Sequence, residues 1–152
     1  MRLDKVRELG TREHGLAVAI TTQSTGRPRA SVVNAGVVDH PVTGEAMVGF
    51  VSRGAARKLE DLRHRPDITL VFRSGWEWVA VEGAAELAGP DDKLTGLASE
   101  DLPPVLRTAY AAAVGGTPDE WASLDETMAA ERHTAVFVRV SRLYPEREVG
   151  RP

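Results

Sequence analysis

The sequence predicts a mainly β protein, a six-stranded antiparallel barrel, closed or nearly closed, with flanking helices. Three observations lead there. Short apolar, β-branched runs recur along the chain: GLAVAITT, RASVVNAGVVD, AMVGFVS, DITLVFR, WEWVAVEGAAEL and HTAVFVRVSRLY. The first three are joined by connections too short for crossover helices, which makes them an antiparallel meander. One helix follows the third run, and the absence of helices among the first three counts against a parallel α/β sheet. At 152 residues the chain fits a single domain, and a domain of this size buries roughly 68–70% of its unfolded surface.

In chain order, residues 3–13 read as a short helix, with Leu3, Val6 and Leu9 at helical spacing and Gly10 a weak point near its end. Gly15 to Thr22 is the first strand, and the turn signal STGRP follows it. Arg29 to Asp39 is the second strand, and the loop HPVTGE leads into the third, Ala46 to Ser52. Gly54 to His64 switches to helical period, with Ala55, Leu59 and Leu62 on one face, and Pro66 closes it. Asp67 to Arg73 and Trp76 to Leu87 are two more strands joined by a tight Ser74-Gly75 turn. An Ala-rich helical stretch follows, broken by Pro103-Pro104 and Gly115-Gly116. Thr117-Pro118-Asp119-Glu120 carries a capping-box pattern that opens a helix to about Arg132. His133 to Tyr144 is the final strand, alternating and rich in Val.

Composition removes several functions. Apolar residues make up 42% and charged residues 27%, the balance of an ordinary globular protein. With no cysteine, disulfides, thiolate metal sites and a Cys nucleophile are excluded. A formal net charge of -3 argues against general nucleic-acid binding, which needs a surplus of cations. The charged N-terminus MRLDKVRELGTREHG lacks the apolar stretch of a signal peptide. No apolar run approaches the ~20 residues that cross a bilayer. The expectation is a soluble, cytoplasmic protein with neither nucleic-acid nor membrane partners.

Chemistry concentrates in three segments. In VSRGAARKLEDLRHRP, residues 51–66, a strand ends at Ser52 and a helix starts with Arg57 and Lys58 in its first turn. Cations beside the positive end of a helix dipole are mildly unfavourable unless an anion sits there too. A phosphate would use the free backbone N–H groups and both side-chain charges. The alternative is a solvated helix face on which Glu60 and Asp61 balance nearby Arg and Lys. In the second segment, strand alternation sends Arg29, Ser31 and Val33 to one face and Ala30, Val32 and Asn34 to the other. Arg29 reaches the same phosphate if strands two and three are neighbours. Asn34 offers donor and acceptor to a ring edge, or is a satisfied core Asn or a bulge. In the third, Trp76 and Trp78 share a face with Ala80 and Glu82, covering a core, a dimer contact or a planar cofactor. Gly83 suggests a bulge or a close backbone approach.

Other chemistries find no support. Neither GxGxxG nor GxxxxGK occurs, and Phe50 occupies the first glycine position of a GxSxG elbow around Ser52. His14, His40, His64 and His133 are scattered without ligand spacing, and no carboxylate pair suggests glycosidase-like acid/base work.

Taken together, these segments resemble the split β-barrel flavin-binding superfamily that includes pyridoxamine 5′-phosphate oxidase, and most closely its F420-dependent reductase branch. The resemblance covers about 14–89 and resumes at 131–145. Arg29-Ala30-Ser31-Val32-Val33-Asn34 is similar to the family's Arg-x-Val-Leu-Leu-Lys strand. Ala56-Arg57-Lys58 resembles its Ser-Arg-Lys phosphate element, and Val51 and Ser52 match the strand end beside it. Val79-Ala80-Val81-Glu82-Gly83 resembles its Val-x-Val-Glu-Gly strand, with Trp78 where a cofactor-facing side chain stands. The resemblance implies that Arg29, Ser31, Val32, Val33, Asn34, Val51, Ser52, Arg57, Lys58 and Trp78 bind the cofactor. That cofactor is expected to be F420, with FMN as the alternative. It further implies a homodimer with sites at the interface, passing a hydride to a small electron-poor acceptor. The chemistry belongs to the cofactor, so no catalytic side chain is needed. The oxidase's C-terminal Arg-Leu-His signature is missing from residues 132–145, and Asn34 replaces a lysine, which argues against pyridoxamine phosphate oxidation itself. A non-catalytic cofactor- or haem-binding protein is the other class.

Overall fold

The computed structural model describes residues 2–116 and 119–145. Six antiparallel strands close into a barrel in the order β1-β2-β3-β6-β5-β4. They are β1 (Leu16–Thr22), β2 (Pro28–Asp39), β3 (Ala46–Ser52), β4 (Asp67–Ser74), β5 (Glu77–Ala88) and β6 (Thr134–Tyr144). The helices are α1 (Asp4–Arg12), α2 (Arg57–His64), α3 (Leu102–Val114) and α4 (Trp121–Ala130), with a 3-10 turn at Ser99–Asp101 before α3.

Strand alternation sorts the side chains. Val33 and Ala35 of β2, Val48 and Phe50 of β3, Leu70 and Phe72 of β4, Val79 and Val81 of β5, and Val136 and Val138 of β6 fill the barrel. Helices supply the plugs: Leu3, Val6 and Leu9 of the α1 segment and Leu59 and Leu62 of α2 join this core. α1 is tied to the start of β5 by Lys5 and Arg12, which donate to the Glu77 carboxylate at 2.6 and 2.9 Å. A second apolar cluster lies outside the barrel, where Val38, Met47, Ala135 and Phe137 meet Leu106 and Ala109 of α3 and Met128 of α4.

The barrel's outer surface is therefore divided. α3 lies so close to β2 that a Cβ on Gly36 would stand 2.1 Å from the Ala112 carbonyl oxygen. Nearer its start, β2 is uncovered, and there Val32 is 68% exposed. Register places Val32 beside Val18, Val18 beside Val71, Val71 beside Ala80, and Ala80 beside Tyr144. One cross-strand row thus runs over five strands on the outer side of the barrel, exposed at Val32 and Val18 and buried at Ala80.

Several expectations need correction. The turn between β4 and β5 is Gly75-Trp76, with Gly75 at φ +61°. Trp76 consequently sits exposed in the turn and shares no strand face with Trp78. α2 starts at Arg57 rather than Gly54, and Ala55 is exposed ahead of it instead of joining Leu59 and Leu62. Pro103 and Pro104 do not break the Ala-rich helix; they occupy the first turn of α3, where a missing N–H costs nothing. Gly115 ends that helix at φ +75°. Of the capping box, Thr117 and Pro118 lie outside the described residues; α4 begins at Trp121, with Glu120 as N-cap and not at the third helical position.

Candidate functional site

α2 crosses one end of the barrel and carries the charged segment with it. Its first turn, opened by Ala56 without a side-chain cap, faces the β1–β2 turn. Between them is a cavity of about 460 Å³ lined by Gln23, Ser24, Arg29, Arg57, Glu60, Asp61, His64 and Arg65. Three guanidinium groups converge there. Among the described residues Arg57 makes no hydrogen bond or ion pair, so its charge is free for an anion.

Arg29 is held from below. Its Nε donates to Asp61 Oδ2 at 2.8 Å, and Thr21 Oγ1 donates to the same oxygen at 2.8 Å. Thr21 and Asp61 are both buried, and Arg29 itself is half-buried. Arg65 anchors to the barrel rim through Nε to the Thr22 carbonyl at 2.7 Å, which sets its Nη2 3.9 Å from Asp61 Oδ1. Burial alone would raise the Asp61 carboxyl's pKa. The hydrogen bonds from Arg29 and Thr21, with the Arg29 and Arg65 charges, outweigh it and hold the group below the usual carboxylate range.

Lys58 sits apart from this cavity. Consecutive helical residues point about 100° apart, so Arg57 lines the cavity while Lys58 is half-buried outside its wall. Burial pushes the Lys58 ammonium's pKa down, and among the described residues no hydrogen bond or ion pair offsets that cost. Ser52 is buried at the end of β3, its hydroxyl 3.4 Å from the Arg53 carbonyl, and Val51 packs toward the α3 cluster. Neither lines the cavity.

The remaining expected residues divide between the faces of β2 and β5. Ser31 is half-buried, and Val33 belongs to the barrel core, so only its backbone is left for a ligand. Val32 and Asn34 are exposed on the open face, with Asn34 Nδ2 donating to the His14 carbonyl at 2.9 Å. Trp78 is half-buried on the outer face of β5, edge-on to Tyr144 at 6.1 Å between ring centroids. Arg142 lies 4.8 Å over the Tyr144 ring. Sequence reasoning passed over Asp61, Arg65 and Tyr144. Asp61 read as a local counter-charge, and nothing in sequence signals its long-range partners. β2 links the two regions, since Arg29 meets the cavity and, three residues on, Val32 faces the open sheet. An anionic tail in the cavity and a flat ring along β2 fit this arrangement.

Among the described residues no helix is long and apolar enough to cross a membrane, and no cluster of three His, Cys, Asp or Glu side chains is placed to hold a metal.

A family model described as pyridoxamine 5′-phosphate oxidase matches residues 3–136. Among solved structures, the conserved hypothetical protein Rv2991 of Mycobacterium tuberculosis superposes with a TM-score of 0.65 at 17% identity, over 99% of this chain and 92% of that one. An F420 reductase superposes at 0.56 and 12% identity, over 86% and 90% of the two chains. HutZ, a heme storage protein of Vibrio cholerae, superposes at 0.57 and 13% identity, over 95% and 94%. At these identities the structures speak for the fold alone. No curated protein sequence matches the chain.

Proposed function

The chain belongs to the pyridoxamine 5′-phosphate oxidase family, and from that premise we propose that it is an oxidoreductase that binds the deazaflavin coenzyme F420 and reduces a small electron-poor organic acceptor. The observation that carries this reading is the unpaired Arg57 sharing a 460 Å³ cavity with Arg29 and Arg65 at one end of β2. Arg57 and Arg29 hold the cofactor's phosphate, assisted by the free N–H groups of the first turn of α2. Lys58, short of a partner in the bare chain, contributes its charge from the other side of that turn. The Ser31–Asn34 backbone and Val32 line the ring. When bound, F420 supplies a hydride; the residues here orient the ring and keep water from it.

The open face supports a homodimer. Val32 at 68%, Leu16 at 46% and Val18 at 38% exposure form an apolar surface on β1 and β2 of the kind an interface covers. A second copy placed there closes the ring site, with Trp78 reaching it across the interface.

Titration of the purified chain with F420 and with FMN tests the cofactor. F420 binding that weakens about tenfold or more in Arg57→Ala, the size of a lost charge-assisted hydrogen bond, and about two- to fivefold in Lys58→Ala, the size of a charge acting without direct contact, is the expected result. FMN binding with none for F420 transfers the same site to flavin chemistry. Cofactor binding without acceptor reduction above background makes the protein a carrier. If neither cofactor binds, the reading fails.

A further inference from the structure

The cavity floor carries a negative charge that the proposed role leaves unexplained. Asp61 is 6% exposed at its side chain, yet it borders the anion cavity and takes the Nε bond of Arg29 at 2.8 Å. Glu60 stands at the rim, paired with Arg63 at 3.3 Å, with the His64 ring 3.4 Å from its carboxylate. Among its lining side chains, three arginines stand against two carboxylates, a margin of a single positive charge from these groups. A cavity built to hold as much negative charge as possible would not put a carboxylate beneath its central arginine.

We propose that Asp61, with Glu60 in support, is a specificity-determining residue that tunes the cavity to a singly charged phosphodiester over a doubly charged phosphate monoester. The proposal rests on the reading that this cavity holds the cofactor's phosphate. Its physical basis is a difference in scaling. Attraction to the cavity grows in proportion to the ligand's charge, whereas the cost of removing the ligand from water grows with its square. Each carboxylate lowers the attractive potential and leaves the desolvation cost in place, so the preferred ligand charge falls. The buried bonds from Thr21 and Arg29 keep Asp61 ionised, so this offset is permanent at neutral pH. The phosphate of F420 is a diester, joined on both sides within the molecule; that of FMN is a terminal monoester. Asp61 thus favours the deazaflavin coenzyme by charge, independently of the ring.

The test uses two pairs of ligands, each sharing a ring and differing in that charge and one ester methyl group: FMN and its phosphate methyl ester, and the 5′-phosphate of 8-hydroxy-5-deazariboflavin and its methyl ester. All are titrated at pH 8 against the full chain. In the wild type, the methyl ester should bind at least as tightly as the free monoester in whichever pair binds. Asp61→Asn should shift the affinity ratio toward the monoester by about fivefold, and Glu60→Gln in the same direction by about twofold, the range of one screened charge–charge interaction. A purely structural role for Asp61 would weaken both ligands of a pair alike and leave the ratio fixed, which refutes the proposal. A wild-type preference of more than tenfold for the monoester refutes it too. Glu60 is exposed, so Glu60→Gln retains the test should Asp61→Asn fail to fold. Binding of neither pair by the wild type would instead overturn the phosphate site, and the proposal with it.

Discussion

Thr21→Val isolates what the buried network contributes. The substitution keeps the shape of a side chain that is 2% exposed and removes the hydroxyl that donates to Asp61 at 2.8 Å. A hydrogen bond to a charged group contributes about 1.5–3 kcal/mol. The added methyl group gains some burial in return, so the net loss should be about 2 kcal/mol at pH 7. For a domain of this size each kcal/mol moves the melting temperature by roughly 2–4 °C, giving a fall of about 4–8 °C. The sign of the pH dependence follows from Asp61, whose folded pKa lies below its unfolded value. Its stabilising contribution is complete above the unfolded value of about 3.9 and is lost as pH falls through the lower folded value. The gap between wild type and Thr21→Val should therefore be constant from pH 7 down to about pH 5 and narrow below pH 4. Urea unfolding of both proteins, at pH 7 and at the lowest pH where the wild type stays folded, measures it. A gap under about 0.5 kcal/mol at pH 7, or one that persists undiminished in acid, refutes the reasoning.

Lys58→Met should stabilise the bare chain by about 0.5–1 kcal/mol while weakening cofactor binding, a trade of stability for function. Because the folded ammonium's pKa is lowered, the wild type's penalty is present below that value and relieved as pH rises through it, so urea midpoints of the two proteins should converge in alkali. Gly36→Ala should cost about 3 kcal/mol, since a Cβ only 2.1 Å from the Ala112 carbonyl forces α3 off β2; a melting temperature within 2 °C of wild type, a shift of order 1 kcal/mol or less, would contradict this. Val32→Asp places a charge on the open face and should convert a dimer to monomers in sedimentation experiments with little loss of monomer stability. A wild type that sediments as a monomer would rule out the dimeric site.

The barrel was legible because its information is local. Period-two alternation in β2 and β3 and the short connections between β1, β2 and β3 are properties of neighbouring residues, and these elements appear within a residue or so of their expected limits. The turn after β4 lies one residue beyond its expected place because composition alone does not separate Ser74-Gly75 from Gly75-Trp76. Only the pairing of Ser74 with Glu77 decides between them. The Pro103-Pro104 pair is ambiguous for a related reason: proline both ends helices and begins them, and which it does depends on what precedes it.

The candidate site was legible only in part, and the dividing line is sequence separation. Treating Glu60 and Asp61 as local counter-charges holds for Glu60, which pairs with Arg63 one turn away at 3.3 Å. It covers only part of Asp61, which has Arg65 one turn on at 3.9 Å but takes its hydrogen bonds from partners 32 and 40 residues distant that become neighbours only when α2 lies across the barrel end. Adjacency groups Arg57 and Lys58 in the sequence, whereas helical geometry puts Arg57 in the cavity lining and Lys58 on the other side of the turn. β2 shows the limit most sharply. Ala30, Val32 and Asn34 alternate outward as do Gly36 and Val38, yet the first three face the open surface while Val38 joins the buried cluster and Gly36 lies against α3. Alternation identifies a face and cannot say what covers it. The one local trace of the covering is Gly36 itself, an outward position with no side chain, where a helix backbone can come to rest.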